Sequence, residues 1–306
     1  MTHLRFHTTP LRLLLGTLLL AMLWACTPSD EEGTVPQASC NRVWAYMPAP
    51  GQFINEGYSL TTMDEACAWA KERLSQELYV SLGAFGGYIV VGFDPAVVND
   101  GSYNLSIKGN AYDGNSEPGI VWVMCDTNGN GKPDDTWYEL RGSDADSAST
   151  WHDYEVTYHR PSEPNQPVRW SDNHAQEGYV DYLAAYHHQD TYYPLWADAD
   201  SLTLKGTRLA PHSYDASGNG TLWINESLAW GYVDNYSSED LFADPDGMKC
   251  NHFRISDATC EDGSPVRLDS IHFVKVQTAV LAQCGWIGEV STEVIAIRDY
   301  NLLKKK

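Results

Sequence analysis

The chain has 306 residues, with 41 acidic and 20 basic side chains and a formal net charge of −21 at pH 7. A protein this acidic repels nucleic acid and anionic membrane surfaces, so neither is expected as a partner. The length accommodates one large β domain or two small ones.

The first residues have the pattern of an export signal. Two arginines precede a 12-residue apolar run, Leu13 to Trp24, which is shorter than the about 20 residues of a membrane helix. The run ends in Leu-Trp-Ala-Cys, which resembles the bacterial lipobox. This resemblance implies a lipoprotein signal peptide over residues 1–25 and lipidation of Cys26. An ordinary signal peptide cut near Ala25 is the alternative.

Residues 26–42 are polar and contain no apolar period, which predicts a flexible tether. The acidic cluster Asp30-Glu31-Glu32 resembles the signal that directs some Gram-negative lipoproteins to the outer face of the outer membrane. We therefore expect a protein that touches the outer membrane only through its lipid and faces the cell exterior. A solvated linker with incidental charge is the alternative. Residues 43–303 are predicted to form a single β-sandwich domain.

One segment, "TTMDEACAWAKERLSQEL", predicts a helix. Thr62 is placed to be its N-cap, and Glu65 three residues later completes a capping box. Apolar residues from Ala66 to Leu74 recur at helical spacing, so one face should pack on a sheet.

Nearly everything after this helix predicts strands. "GYIVVGFD", predicted to end at Asp94-Pro95, is followed by "YNLSIKGNAY", "GIVWVMC", "TWYEL", "DYEVTYH", "SLTLKG", "NHFRIS", "IHFVKVQTAV" and "EVSTEVIAI". Many short strands separated by Gly, Asn and Asp turns predict an all-β, jelly-roll-like β-sandwich with one short helix near the N-terminus.

Residues 161–200 are less regular and rich in Pro, Asn, Asp and aromatic side chains. We expect a long ordered loop whose aromatic faces could stack on a sugar ring or a flat ligand. The candidate ligand-binding residues are Trp170, Tyr182, Tyr186, Tyr192 and Trp196. For any one of them, packing of the loop onto the sandwich is the alternative.

The stretch "CDTNGNGKPDDTWYEL" resembles a calcium loop of EF-hand type, because oxygen-bearing residues alternate and Gly131 stands at the sharp turn. The candidate ligands are Asp126, Asn128, Asn130, the carbonyl of Lys132, Asp134 and Asp135. Position twelve is Trp137 rather than glutamate. Asn-Gly steps also form hairpin turns, so a polar turn without metal is the alternative.

Six cysteines follow Cys26, and an even number in an exported chain favours disulfides. Free buried thiols are the alternative for some of them. A second acidic loop, "DNYSSEDLFADPDG", is predicted to be solvated. A cation site or the rim of a ligand site is the alternative.

No HExxH, GxSxG or P-loop motif supports a catalytic metal, a hydrolase nucleophile or a nucleotide site. A carboxylate pair for glycoside hydrolysis stays open, with Glu117, Glu139 and Glu289 as candidates in or beside strands.

Three blocks carry a family resemblance. They are "VSLGAFGGYIVVGFDPAVVNDGSYNLSIKGNAY", "SEPGIVWVMCDTNGNGKPDDTWYELRGS", and "FRISDATCEDGSPVRLDSIHFVKVQTAV" running into "GWIGEVSTEV". Together they resemble a family of secreted bacterial cell-surface lipoproteins built on a jelly-roll-like sandwich. Some members are associated with outer-membrane, TonB-dependent uptake systems, including those for corrinoids.

We therefore expect a surface-exposed, lipid-anchored protein that binds an extracellular ligand, is stabilised by calcium and performs no catalysis. The resemblance implies a glycan or a transported nutrient such as a corrinoid as ligand, and an outer-membrane transporter as a further partner. A secreted glycoside hydrolase and an adhesive or structural surface protein are the alternatives.

Overall fold

The computed structural model describes residues 37–197 and 200–305. The predicted signal peptide 1–25, the lipidation site Cys26 and most of the tether 26–42 lie outside the described residues. The described residues form one compact unit. Within the described ranges, no helix combines the length and the apolar character needed to cross a bilayer.

The strands, in chain order, are β1 (Arg42–Met47), β2 (Val80–Ser81), β3 (Tyr88–Val98), β4 (Leu105–Lys108), β5 (Gly119–Met124), β6 (Trp137–Leu140), β7 (Trp151–His159), β8 (Val168–Asp172), β9 (Glu177–Val180), β10 (Ser201–Arg208), β11 (Ser213–Asp215), β12 (Trp223–Asn225), β13 (Leu241–Ala243), β14 (Lys249–Phe253), β15 (Ala258–Thr259), β16 (Ser270–Thr278), β17 (Glu293–Val294) and β18 (Ala296–Asp299). The helices are α1 (Met63–Ser75) and the one-turn α2 (Tyr300–Leu303), with 3-10 turns at Ile255–Asp257 and Gly285–Ile287.

Three larger sheets organise these strands. Sheet A has the order β1-β3-β16-β5-β6-β15, sheet B the order β13-β14-β4-β18, and sheet C the order β10-β7-β8-β9. Two short ladders pair β11 with β12 and β17 with β2. The predicted all-β sandwich with a short helix near the N-terminus is confirmed.

The main core follows from period-two alternation along the strands of sheet A. Val121 and Val123 of β5, and Val274 and Val276 of β16, bury one face of the sheet together with Ile107 from sheet B. Because successive side chains point to opposite faces of a strand, the residues between these valines face away from this core.

Helix α1 covers one side of the same core, as its sequence predicts. Ala66, Ala70 and Leu74 are buried. The capping box is present: the Glu65 N–H donates to Thr62 Oγ1 at 3.2 Å, and the Thr62 N–H donates to Glu65 Oε2 at 3.2 Å.

The prediction that the strand "GYIVVGFD" ends at Asp94-Pro95 is wrong, because β3 continues to Val98. Its register against β16 jumps between the Gly92–Phe273 and Val97–Ile271 pairs. This irregularity takes Pro95, which has no N–H to donate, out of the regular ladder.

The stretch 161–200 is not one long loop. It contains β8 and β9, which form a hairpin at the edge of sheet C. The aromatic residues of β8 and its neighbours, which favoured a binding loop in the sequence, pack largely on sheet C in a second core cluster around Tyr154 and Tyr158.

The disulfide prediction is wrong for the described residues. Their six cysteines are all free thiols, and no two lie at disulfide distance: Cys40, Cys67, Cys125, Cys250, Cys260 and Cys284. An even number of cysteines cannot show whether the fold brings two Cβ atoms to the spacing that a bridge requires.

Candidate functional site

A cleft lies between sheet C and the face of sheet A that is turned away from the main core. Its volume is about 540 Å³, and it is walled by β5, β6 and β16 on one side and by β7 and β10 on the other. This size falls in the range of small-molecule sites, about 300–1,000 Å³. A second space of about 490 Å³ continues along the sheet past Tyr88 and Gln277, and shares Trp137, Lys205 and Lys275 with the cleft.

The register of three neighbouring strands places a cation, an indole and a carboxylate in one row. Lys275 of β16 pairs with Trp122 of β5, and Trp122 pairs with Glu139 of β6. Residues paired across adjacent strands point to the same face. Trp137, two residues before Glu139, adds a second indole to that face, and all four side chains line the cleft.

Lys275 provides a positive charge beside the two indoles of the cleft. Its Nζ lies 4.3 Å from the ring centroid of Trp122 and 5.6 Å from that of Trp137, within the range of a cation–π interaction. Burial lowers the pKa of Lys275 to about 8, and the nearby Glu139 carboxylate opposes that shift. Among the described residues, its ammonium has no hydrogen-bond acceptor.

Glu139 provides an acceptor on the far side of Trp122. Its Oε2 accepts the hydroxyl of Thr207, from β10, at 2.5 Å. Burial raises the pKa of Glu139, while the Thr207 hydrogen bond and the positive charge nearby lower it. This contact joins the two walls of the cleft and leaves the second carboxylate oxygen for a ligand.

Strand alternation is the sequence signal that identifies this face. In "FVKVQT" the valines enter the main core, so Lys275 and Gln277 must face the other way. Sequence analysis named Glu139 as a carboxylate candidate but not Trp122, Trp137 or Lys275 as binding residues. The pairing of β5, β6 and β16 that brings them together is a long-range property.

The five aromatic residues predicted to bind ligand do not form one exposed face, and none lines this cleft. Tyr192 is fully buried, and Trp196 is buried with its Nε1 donating to the Tyr46 carbonyl at 2.8 Å. Both pack the protein interior.

The other three predicted rings are more accessible. Tyr182 donates to Asn165 Oδ1 at 2.7 Å, and Trp170, on β8 of sheet C, is partly buried. Tyr186 is 58 % exposed, with its ring centroid 6.4 Å from that of Trp286.

The predicted calcium loop is exposed and curled around its own aspartates. Asp126 accepts the N–H groups of Asn130 at 3.1 Å and Gly131 at 2.9 Å. Asp134 accepts the side-chain amides of Asn128 and Asn130 at 3.0 Å each. These hydrogen bonds lower the pKa of Asp134, that from Asn128 most.

The remaining members of the loop are also bonded locally. Asp135 accepts the N–H of Thr127 at 3.1 Å, and the Lys132 carbonyl accepts the N–H of Asp134 at 2.9 Å. Gly131 has φ of +69°, which suits a glycine at the turn. The loop gathers the predicted ligands, but its three aspartate carboxylates do not converge within 4.8 Å of one another.

The prediction that the second acidic loop is solvated is wrong for three of its aspartates, Asp234, Asp240 and Asp244, which are buried. Asp244 is 2.7 Å from His252 Nε2 and also contacts Arg298. A charge run in the sequence is normally solvated, but here buried donors from distant segments compensate the carboxylates.

Asp234 belongs to a buried group of three carboxyls, with Glu117 and Glu293, whose ligand oxygens lie within 4.8 Å of one another. Asp234 accepts three backbone N–H groups, from Asn110 and Ala111 at 2.7 Å and from Glu293 at 2.9 Å. Such a set of oxygens could hold a hard cation. The backbone contacts also tie three separate segments together, which is a structural role.

Burial favours the protonated form of these carboxyl groups. It raises the pKa of Glu117 to about 8, of Asp234 to about 7 and of Glu293 well above its usual range. Glu289, separately, has a pKa raised by burial to about 8; its Oε1 accepts the Gln52 N–H at 2.8 Å, and its Oε2 has no partner among the described residues.

A scan of the chain against protein-family models gives no match, and a search of curated proteins gives no significant match.

The buried Glu289 predicts a specific pH dependence of stability. Its folded pKa of about 8 exceeds its ordinary value of 4.5, so its contribution is complete below pH 4.5 and is lost as the pH rises through about 8. Glu289→Gln keeps an acceptor for Gln52 and removes the titration. Between pH 4.5 and about pH 8, the free energy of unfolding of the wild type should fall relative to that of the variant by up to about 1.4 kcal/mol per pH unit.

Urea denaturation at a series of pH values measures this difference. Glu163→Gln, at an exposed position, is the matched control and should keep the wild-type slope. An unchanged pH slope in Glu289→Gln would show that Glu289 is ionised in the folded protein.

Proposed function

We propose that the chain is a lipid-anchored binding protein of the outer cell surface, which takes a ring-bearing extracellular ligand into the cleft between sheets A and C. The ligand is a glycan or a transported nutrient such as a corrinoid. The proposal rests on one observation: the indole rings of Trp122 and Trp137 lie next to the ammonium of Lys275 in the same cavity. This ammonium has no hydrogen-bond acceptor among the described residues. Flat apolar faces with a few convergent polar groups are typical of small-ligand sites.

The family resemblance supports the same location. Trp122, Trp137 and Glu139 lie in the second of the three blocks that resemble secreted cell-surface lipoproteins, and Lys275 lies in the third. From the same resemblance, we propose that the protein passes its ligand to an outer-membrane transporter.

Binding without chemistry is favoured over glycoside hydrolysis by the position of the carboxyls. A hydrolase needs two carboxyl groups about 5–9.5 Å apart across the scissile bond. Glu117 and Glu293 approach each other but are buried and do not line this cleft. Glu139 does line it, with one oxygen bonded to Thr207. The other four acidic residues of the lining are all exposed, so none is a second buried carboxyl beside Glu139: Asp146, Asp153, Glu261 and Asp262.

The cleft is tested by Trp122→Leu. Loss of the stacking surface should weaken binding roughly 30-fold, equivalent to about 2 kcal/mol, for whichever probe binds in a calorimetric screen of cyanocobalamin and plant and bacterial oligosaccharides. Trp286→Leu removes an indole that is 50 % exposed and outside the cleft, and should bind like the wild type. Equal affinity of both variants would exclude the cleft as the site.

The proposed anchor is tested by Cys26→Ser. Without the thiol no lipid can be attached, so the protein should move from the membrane fraction to the soluble exported fraction, as measured by fractionation and immunoblotting. The conservative Cys67→Ser keeps the proposed anchor and is the control. Retention of Cys26→Ser in the membrane would contradict lipidation, and protection of the wild type from protease on intact cells would contradict an outward orientation.

We also propose that calcium binds the loop 126–135, because one ion would draw together three aspartates that now rely on local N–H donors. At 100-fold excess over its dissociation constant, calcium should stabilise the fold by about 2.7 kcal/mol and raise the melting temperature by several degrees. Asp126→Ala should abolish this rise, and Asp113→Ala, which removes an exposed aspartate elsewhere, should keep it. Identical melting temperatures of the wild type in calcium and in chelator would show that the loop is a polar turn that binds no calcium.

A further inference from the structure

The cleft floor presents a donor and an acceptor on opposite sides of an indole ring. Lys275 and Glu139 flank Trp122 in the same cross-strand row, one strand away on either side. Each affects the pKa of the other, yet they form no ion pair among the described residues. The ammonium of Lys275 lies over the Trp122 ring, 4.3 Å from its centroid, and no carboxylate neutralises it there.

The donors of the floor lack acceptors. Besides the ammonium of Lys275, the indole Nε1 of Trp122 is buried and has no acceptor among the described residues. The cations of the rim differ, because Arg141 contacts Asp146, and Lys205 lies 3.6 Å from Asp153. The ammonium of Lys275, unlike the enclosed Trp122 Nε1, is accessible from the cleft, so a ligand that supplies an acceptor for it is favoured.

The charge balance limits which acceptors fit. A carboxylate or phosphate would pair with Lys275 but would be repelled by Glu139, and the lining as a whole has five acidic and three basic side chains. A cationic ligand would meet the ammonium of Lys275 instead. A hydroxyl group resolves both demands, because it donates and accepts through the same atom.

We infer that the ligand is an uncharged saccharide, one ring of which packs against the indoles of Trp122 and Trp137 while neighbouring hydroxyls accept from Lys275 and donate to Glu139. This inference rests on the proposed function and narrows its ligand class. Lys275 and Glu139 then determine specificity: the first requires an acceptor, the second requires a donor, and together they reject ligands that carry net charge at that ring.

The test is titration calorimetry of the full-length protein with neutral trisaccharides of glucose, xylose, mannose and galactose, with trigalacturonate as the acidic counterpart and cyanocobalamin as a non-saccharide probe. At least one neutral trisaccharide should bind. Lys275→Met and Glu139→Met should each weaken it roughly 10-fold or more, because each removes a hydrogen bond to a charged group. Trigalacturonate should bind at least about 10-fold more weakly than the neutral ligand.

Matched variants separate recognition from folding. Lys249→Met removes an exposed lysine whose Nζ lies 4.5 Å from the ring centroid of Tyr236, outside the cleft, and should bind like the wild type. Glu139→Gln keeps a carbonyl acceptor for the ligand and should lose less affinity than Glu139→Met. Unchanged melting temperatures identify the variants that remain folded.

Three results would overturn this inference. The first is binding of trigalacturonate as tight as that of every neutral trisaccharide. The second is wild-type affinity in both Lys275→Met and Glu139→Met. The third is that cyanocobalamin binds, that Trp122→Leu weakens this binding, and that no trisaccharide binds. In that case the cleft would still be a ligand site, as the proposed function states, but its ligand would not be a saccharide. If Trp122→Leu changes the binding of no probe, the proposed function fails as well.

Discussion

Gln277 fixes the distance between the two sheets that enclose the cleft. Its side-chain amide donates to the Gly86 carbonyl at 2.8 Å and to the Lys205 carbonyl of β10 at 3.1 Å. Gly206 permits this approach, because a Cβ at that position would lie 2.3 Å from Gln277 Oε1. Sheet C is thereby held against sheet A at one end of the cleft, while the space beside Lys275 stays open.

The strict alternation of β16 makes this arrangement possible. One set of its side chains fills the sandwich core, and the other carries both the Gln277 tether and the Lys275 ammonium. A shift of one residue in register would bury the lysine in the core and expose the valines, so the core and the cleft depend on the same pairing.

The carboxyl groups of this acidic protein are stabilised in two ways. Exposed aspartates of the turns accept local N–H groups, as Asp126 does from Asn130. Buried carboxyls such as Glu117 and Glu289 instead have pKa values raised to about 8, because desolvation favours the protonated form. The positive charge of Lys275 lies beside two indole rings, and the nearby Glu139 carboxylate favours its charged form.

The elements predicted correctly are those fixed by local chemistry. The capping box of Thr62 and Glu65 and the strands β5 and β16 are visible within short windows of sequence. What could not be predicted depends on distant segments meeting. Examples are the burial of Asp234 against Asn110 and Ala111, the unbridged cysteines, and the convergence of β5, β6, β7 and β10 on one cleft.

The claim that ligand enters this cleft is tested most directly by following the indole N–H groups in two-dimensional NMR spectra during titration with a neutral oligosaccharide. The account predicts that the resonances of Trp122 and Trp137 shift and saturate together, while those of Trp170 and Trp286 stay in place. Saturable shifts confined to Trp170 or Trp286, with Trp122 and Trp137 unmoved, would place the ligand elsewhere and contradict the account.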